Sequence, residues 1–210
     1  MKLHAFSFLA AGLLGAVSAA NATDPIPASG HDWSGPYIGA HAGAAWGEVD
    51  ATLTSINGSY ETSGWLAGAQ AGWNLQNDAL VLGIVVDASF ADIDGDWMFD
   101  PGPPQRFLDT SYDFLSTARV RLGWASDAFL IYGTGGLALG SADSSRSLPA
   151  ADASDLLVGF AVGAGFELAV GEQWSLQFEY LHRNLGGQAL DNYDLDHTVD
   201  TLTAGFNFAL

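Results

Sequence analysis

The histidines are the first residues to consider for catalysis, because acyl transfer needs a nucleophile, a histidine and an orienting carboxylate within hydrogen-bond reach. Four histidines follow residue 30: His31, His41, His182 and His197. They are spread over a leading segment, two separate strand-like stretches and the edge of a polar connection. This spacing forms no catalytic pattern, so we expect no catalytic residue and no enzymatic activity. His41 suits a hydrogen-bonding role inside the fold.

A run of acidic residues raises metal binding as a second chemistry. The stretch DIDGDWMFD places Asp92, Asp94 and Asp96 like the start of a calcium-binding loop. An EF-hand loop then requires Gly at its sixth position and Glu at its twelfth, where this chain has Trp97 and Pro103. Cysteine is absent, and the histidine spacing gives no support for haem binding. We therefore predict no metal site and no cofactor; a weak divalent-cation site shared among acidic connections is the alternative.

The third candidate is TARVRLGWA, in which Arg119 and Arg121 lie two residues apart. The chain has only 6 Lys and Arg against 24 Asp and Glu, so such a pair is unusual here. Alternate residues of a strand share a face, so both guanidinium groups point to one side while apolar residues such as Val120 and Trp124 point to the other. The stretch predicts a strand with one charged and one wholly apolar face.

Composition narrows the class of protein that could contain such a strand. Of the 210 residues, 49% are hydrophobic and 14% are charged, yet the formal net charge is −18. A strongly acidic chain is repelled by nucleic acid, which is therefore not an expected partner.

The N-terminal residues predict an exported protein. Lys2 precedes the apolar run AFSFLAAGLLGAVSA, and the small-residue pattern Ala20-Asn21-Ala22 follows it, as in a secretory signal peptide. The run is shorter than the ~20 residues that a membrane-spanning helix needs. We expect cleavage after Ala22, with Ala20 as the alternative. The chain is thus divided into a signal peptide at residues 1–22, a flexible lead-in at 23–34 and the folded domain at 35–210.

Eight strand-length blocks follow, in which small or polar residues alternate with large apolar ones. They cover approximately residues 36–46, 64–75, 79–92, 113–125, 128–140, 156–169, 174–185 and 198–209. Tight turns are expected around 76–78, 126–127 and 171–173, and long acidic connections over 47–63, 93–112, 141–155 and 186–197. This alternation predicts an all-β fold, an eight-stranded antiparallel up-and-down transmembrane β-barrel. A water-soluble barrel would share the connectivity, so the two faces of the strands must decide.

One face of the blocks carries no charged residue, and its aromatic side chains lie toward the block ends. Trp65 and Trp73 would lie ~20 Å apart along the membrane normal, at ~3.3 Å per residue and a tilt of ~40°, which is comparable to the ~25 Å apolar band of a membrane barrel. We predict interfacial aromatic girdles formed by Trp46, Trp65, Trp73, Phe90, Phe114, Trp124, Trp174, Phe206 and Phe208. The fifth block, FLIYGTGGLALG, has no clear polar face.

The opposite face carries three positive and three negative side chains. They are Arg119, Arg121 and Arg183, and Asp87, Glu167 and Glu179. An arginine facing lipid at mid-bilayer costs about 2–4 kcal/mol, and a buried unpaired charge is also costly. We therefore predict that these six residues pair in the lumen and close it, although the sequence does not assign individual pairs.

Five stretches cover nearly all of residues 32–210: DWSGPYIGAHAGAAWG, GWLAGAQAGWNLQNDALVLGIVVDAS, RVRLGWASDAFLIYGTGGLALG, VGAGFELAVGEQWSLQFEYLHRNLG and TLTAGFNFAL. In order and spacing they resemble the small outer-membrane β-barrel family of Gram-negative envelopes, the porin family or OmpA-like transmembrane barrels that include major surface antigens. Two positions depart from the family pattern. Val85 stands where the family commonly has an acidic residue, and Leu210 stands where it commonly ends on an aromatic.

The resemblance implies a barrel in the cell outer membrane with a role in envelope structure and surface interaction. It also implies contacts with outer-membrane lipids and lipopolysaccharide and with the outer-membrane insertion machinery, while an extracellular partner stays unidentified. We expect a monomer. A narrow porin-like channel for small solutes is the alternative function, although eight strands enclose an interior just wide enough for side chains to fill.

Overall fold

The computed structural model describes residues 31–53, 56–100, 106–147, 150–190 and 193–210, and its regular elements are all β-strands. They are β1 (Gly35–Leu53), β2 (Ile56–Asn77), β3 (Leu80–Asp100), β4 (Arg106–Ser126), β5 (Phe129–Ser147), β6 (Ala150–Ala169), β7 (Trp174–Leu190) and β8 (Tyr193–Ala209). Each strand pairs with its sequence neighbours, and β8 pairs antiparallel with β1. The predicted eight-stranded closed barrel is confirmed. The predicted signal peptide lies outside the described residues.

Tight connections join three pairs of strands at one end of the barrel, which we call the turn end. Asp78 and Asp127 each take a positive φ, of 52° and 48°, a conformation that Asp tolerates better than most residues. The third connection lies between Ala169 and Trp174. The opposite end is called the loop end. In the described part of the chain, no helix has the length and apolar character needed to cross a membrane.

The strands continue well past the ends that the sequence predicted. They are 17 to 22 residues long and cover most of the ranges 47–63, 93–112, 141–155 and 186–197, which corrects the prediction of long loops there. Backbone ladder hydrogen bonds do not require apolar side chains, so pairing persists where the outer face becomes polar. Among the side chains that the structure describes, the exposed acidic residues of these extensions form what we call the acidic rim: Glu48, Asp50, Glu61, Asp94, Asp96, Asp143 and Asp196.

Side chains alternate between an exposed outer wall and a buried lumen. Along β3, for example, Val81, Val85 and Asp87 are buried while Ile84 and Phe90 are exposed. The same alternation shows which side chains of the fifth block face the lumen, a question that the sequence left open. Its inward residues are Leu130, Tyr132, Thr134 and Ala138, and its outward residues are Phe129, Ile131, Leu137 and Leu139.

Candidate functional site

The lumen is the candidate site, and its middle level contains the predicted charged residues. Arg119 is placed there by β4, and its Nη2 lies 3.2 Å from Asp87 Oδ2 on β3 while its Nη1 lies 3.0 Å from Glu179 Oε1 on β7. Its Nε donates to Thr117 Oγ1 at 2.7 Å, and the Thr117 hydroxyl donates to Asp87. One arginine therefore links two carboxylates on opposite parts of the barrel wall.

Arg121, two residues further along β4, holds a second ion pair nearer the turn end. Its Nη1 lies 2.5 Å from Glu167 Oε1, and its Nε donates to Asn74 Oδ1 at 2.9 Å. The guanidinium carbon lies 4.9 Å from the ring centroids of both Tyr37 and Tyr132, a separation within cation–π range. These contacts come from four strands other than β4, so Arg121 ties the turn-end half of the barrel together.

Amide side chains, which were not among the predicted site residues, connect the two ion pairs, and Asn207 Nδ2 donates to Glu167 Oε2 at 3.1 Å. Gln70 Nε2 donates to Asn207 Oδ1 at 2.6 Å and also to Gln177, and Gln177 Nε2 donates to Tyr132 Oη at 2.6 Å. The Tyr132 hydroxyl in turn donates to Glu179 Oε2 at 2.9 Å. The lumen at this level is filled by one continuous hydrogen-bonded network.

The pairing prediction does not hold for Arg183. Among the described residues no carboxylate lies within ion-pair distance of it; Nη1 donates to Thr201 Oγ1 at 2.9 Å, and the buried Nε has no partner. Leu181 and Leu185 flank Arg183 on the inner face of β7 and are both buried in an apolar cluster. Arg183 lies four residues beyond Glu179 on β7, and Asp87 and Glu179 are already contacted by Arg119.

An apolar layer, absent from the sequence prediction, fills the lumen on the loop-end side of the charges. Its buried members are Ala45, Leu66, Ile93, Tyr112, Leu115, Ala138, Leu157, Ala161, Leu181, Leu185 and Val199. His197, assigned from sequence to a loop edge, lies inside this layer and is hydrogen-bonded through Nδ1 to Tyr112 Oη at 2.5 Å. A signal for this layer exists in the sequence, because Leu66, Leu115 and Leu181 have inward parity.

Residues 31–34 close the turn end, which corrects their assignment to a flexible lead-in. Trp33 is 6% exposed and belongs to a buried cluster with Val81, Leu130 and Tyr132. The Trp33 amide donates to Gln76 Oε1 at 2.8 Å. An isolated tryptophan in a Pro- and Gly-rich stretch offers no periodicity, so only the shape of the barrel mouth reveals this contact.

The predicted aromatic residues lie on the outer wall in two rows. Trp46, Trp65, Phe90 and Phe114 lie toward the loop end; Trp73, Trp124, Trp174, Phe206 and Phe208 lie toward the turn end. Phe208 is half-buried against Trp174, with ring centroids 4.8 Å apart, and the others are exposed. Tyr180 joins the loop-end row, and its hydroxyl donates to Asp200 Oδ1 at 2.6 Å. Aromatic rings that carry a polar group such as the tyrosine hydroxyl are typical of a membrane–water interface.

The histidines do not assemble a catalytic triad in the described part of the chain. His41 Nε2 is hydrogen-bonded to Ser89 Oγ at 2.8 Å inside the lumen, but its buried Nδ1 has no partner to orient the ring. His182 Nδ1 contacts Asp200 Oδ1 at 2.8 Å on the outer wall. Across the described residues, no three His, Asp or Glu side chains come close enough to hold a metal ion together, although part of the stretch 92–100 lies outside the described side chains.

The outer wall between the two aromatic rows carries no charged side chain among the described residues, while charged and amide groups fill the lumen. A closed antiparallel barrel with this inverted distribution of polarity is a transmembrane β-barrel. The chain belongs to the family described as the outer membrane protein beta-barrel domain, which matches residues 7–208. The protein is therefore an outer-membrane β-barrel protein, as the sequence predicted.

Known proteins agree with this assignment. The chain is 33% identical to the 31 kDa outer-membrane immunogenic protein of Brucella melitensis biotype 1, over 98% of this chain and 95% of that protein. Among solved structures it is similar to Neisserial surface protein A, with a TM-score of 0.50 and 16% identity over 84% of this chain and 98% of the other. It is also similar to the outer membrane protease OmpT from Escherichia coli, with a TM-score of 0.50 and 9% identity over 83% and 96%. The two structures support the fold alone.

Proposed function

We propose that this protein is a closed, monomeric outer-membrane barrel with a structural and surface-interaction role in the cell envelope. The observation that carries the proposal is the obstruction of the lumen at three levels: Trp33 at the turn end, the ion pairs in the middle and the apolar layer toward the loop end. Water and ions pass poorly through a side-chain-filled bore of eight strands, and a dry apolar constriction resists wetting.

Conductance measurements test the closed lumen directly. Purified full-length mature protein in planar lipid bilayers is expected to show no stable channels, and an established open porin in the same bilayers serves as the positive comparison. Large, steady wild-type channels would overturn the proposal. They would favour the alternative, a narrow porin-like channel, for which the polar middle of the lumen is the supporting observation.

The surface-interaction role is supported by the strand extensions beyond the loop-end aromatic row. They present the acidic rim, whose charge favours cationic over anionic partners. The short turns would then lie in the periplasm, as in known outer-membrane barrels. The relative from Brucella is named as immunogenic, which supports an exposed loop end in this protein as well.

Protease treatment of intact cells tests this topology. Single cleavage sites inserted in the connections 101–105 and 148–149 are expected to be cut from outside, whereas the same site inserted after Asp78 or Asp127 is cut only when the outer membrane is permeabilised. The paired insertions control for expression and accessibility. Cleavage of intact cells at the turns alone would invert the orientation.

A catalytic role receives no support from the arrangement of the histidines. Of the histidine contacts described above, the one with a carboxylate is His182 with Asp200. Asp200 Oδ1 also accepts a hydrogen bond from the Tyr180 hydroxyl. Acyl or phosphoryl transfer would need a nucleophile held by His182 as well. Outer-membrane lipids and lipopolysaccharide surround the apolar wall in this proposal, and the insertion machinery is the remaining expected partner.

A further inference from the structure

The segment 31–34 is held at the turn end by few hydrogen bonds compared with the strands around it. His31 N donates to Asp127 O at 3.0 Å, Trp33 N donates to Gln76 Oε1 at 2.8 Å, and Gln76 N donates to Ser34 Oγ at 3.3 Å. By contrast, β1 pairs along its length with both β2 and β8. Local opening starts where hydrogen bonds are few and exposed. Displacement of this segment would break none of the strand pairs that close the barrel.

Trp33 is one of the residues that line a small, partly open pocket at the turn end. Its volume is about 30 Å³, and its lining includes Tyr37 and the Arg121–Glu167 ion pair. Trp33 Nε1 and Tyr37 Oη are both buried and have no hydrogen-bond partner. Trp33 thus packs against apolar neighbours such as Val81 and Leu130, but its indole N–H stays without a hydrogen bond in the seated position, and displacement into water would satisfy it.

The other end of the lumen is closed by different means. The apolar layer there is part of the strands themselves, and Leu66, Leu115 and Leu181 are fully or almost fully buried within it. Displacing residues 31–34 leaves that layer intact. The two ends of the lumen thus have independent seals, one built into the barrel wall and one attached to its N-terminal side.

We propose that residues 31–34 form a displaceable plug of the turn end. With the plug seated, the Arg121–Glu167 level is sealed; with the plug displaced, this level opens to water and small polar solutes from the turn side, while the apolar layer keeps the loop end closed. The proposal rests on the closed lumen of the proposed function and adds that water and small polar solutes can enter the lumen from the turn end alone.

Cysteine labelling tests the plug, because the chain has no native cysteine. Ser175 lines the same pocket as Trp33 and is buried, so Ser175→Cys reports access from the turn end. Full-length protein in detergent is treated with a small charged methanethiosulfonate reagent. We expect slow labelling of Ser175→Cys and at least tenfold faster labelling when Trp33→Ala is added. Ser126→Cys, at an exposed position, is the control and should label equally with and without Trp33→Ala.

Two further measurements complete the test. Trp33→Phe keeps an aromatic ring but removes Nε1, so its labelling rate is expected between those of the wild-type and Trp33→Ala backgrounds. Trp33→Leu replaces Trp33→Ala if the latter does not fold, as judged by circular dichroism. If Ser175→Cys is labelled at the same rate with and without the Trp33 substitutions, residues 31–34 are not a plug. If Ser175→Cys is never labelled when Trp33 is intact and the barrel is folded, the plug does not open. Both outcomes are distinct from steady wild-type conductance, which contradicts the proposed function.

Discussion

Arg121 Nη1 lies 2.5 Å from Glu167 Oε1, and each side chain is only 2% exposed. Glu167 is held from its other oxygen as well, since Oε2 accepts Ser175 Oγ at 2.9 Å and Asn207 Nδ2 at 3.1 Å. The carboxylate is thus fixed by three different side chains and cannot follow a change at position 121. A buried charge that cannot move away from its lost partner is strongly destabilising.

Arg121→Ala is therefore expected to lower the free energy of unfolding by about 3–5 kcal/mol, because it leaves Glu167 charged and uncompensated in the lumen. Val120→Ala, at the neighbouring exposed position, removes only contact with lipid and is expected to cost about 1 kcal/mol or less. Denaturant unfolding in lipid vesicles, followed by tryptophan fluorescence, measures both. An Arg121→Ala protein as stable as Val120→Ala would contradict the network.

Replacing Arg183 by Met is expected to affect the free energy of unfolding differently from replacing Arg119 by Met. Arg183→Met places an apolar side chain beside Leu181 and Leu185 without separating an ion pair, so stability is expected to stay unchanged or rise, by up to about 4 kcal/mol. Arg119→Met leaves Asp87 and Glu179 without their cation and is expected to destabilise by about 3–5 kcal/mol. The same unfolding assay compares the two matched variants. Equal losses would show that Arg183 has a compensating partner.

Gly72 is expected to be intolerant of any side chain. A Cβ at this position would lie 2.4 Å from the Tyr37 ring, which itself packs against Arg121. Gly72→Ala is therefore expected to lower the free energy of unfolding by about 1–3 kcal/mol through overpacking. Gly171→Ala is the control, because nothing lies within 4 Å of a Cβ there. Similar stabilities for the two variants would place the Tyr37 ring elsewhere.

The N-terminal prediction concerns residues outside the described structure. Cleavage after Ala22 is expected, so the protein in purified outer membranes should begin at Thr23. Intact-mass spectrometry measures this directly, and a mass corresponding to cleavage after Ala20 identifies the alternative site. A mature species that retains Met1 would contradict the signal-peptide assignment.

Strand alternation made much of the barrel predictable from the sequence. Because side chains alternate strictly between the two faces of a strand, residues such as Val120 and Arg121 could be assigned to opposite walls without any knowledge of their neighbours. Tight turns and block lengths then determined the number of strands and their order. The ends of the strands were not predictable, since backbone pairing continues through acidic residues such as Glu48 and Glu61, which face each other across β1 and β2.

Only the tertiary structure decided which luminal groups meet. Inward parity grouped Arg119, Arg121 and Arg183, but register and height in the barrel determine that the first two contact carboxylates and the third contacts Thr201. The polar face of the block containing Leu130 could not be identified for the same reason, because the lumen is mainly polar at its middle level and mainly apolar toward both ends. The position of each residue along the barrel axis, which no local pattern records, sets the polarity of its surroundings.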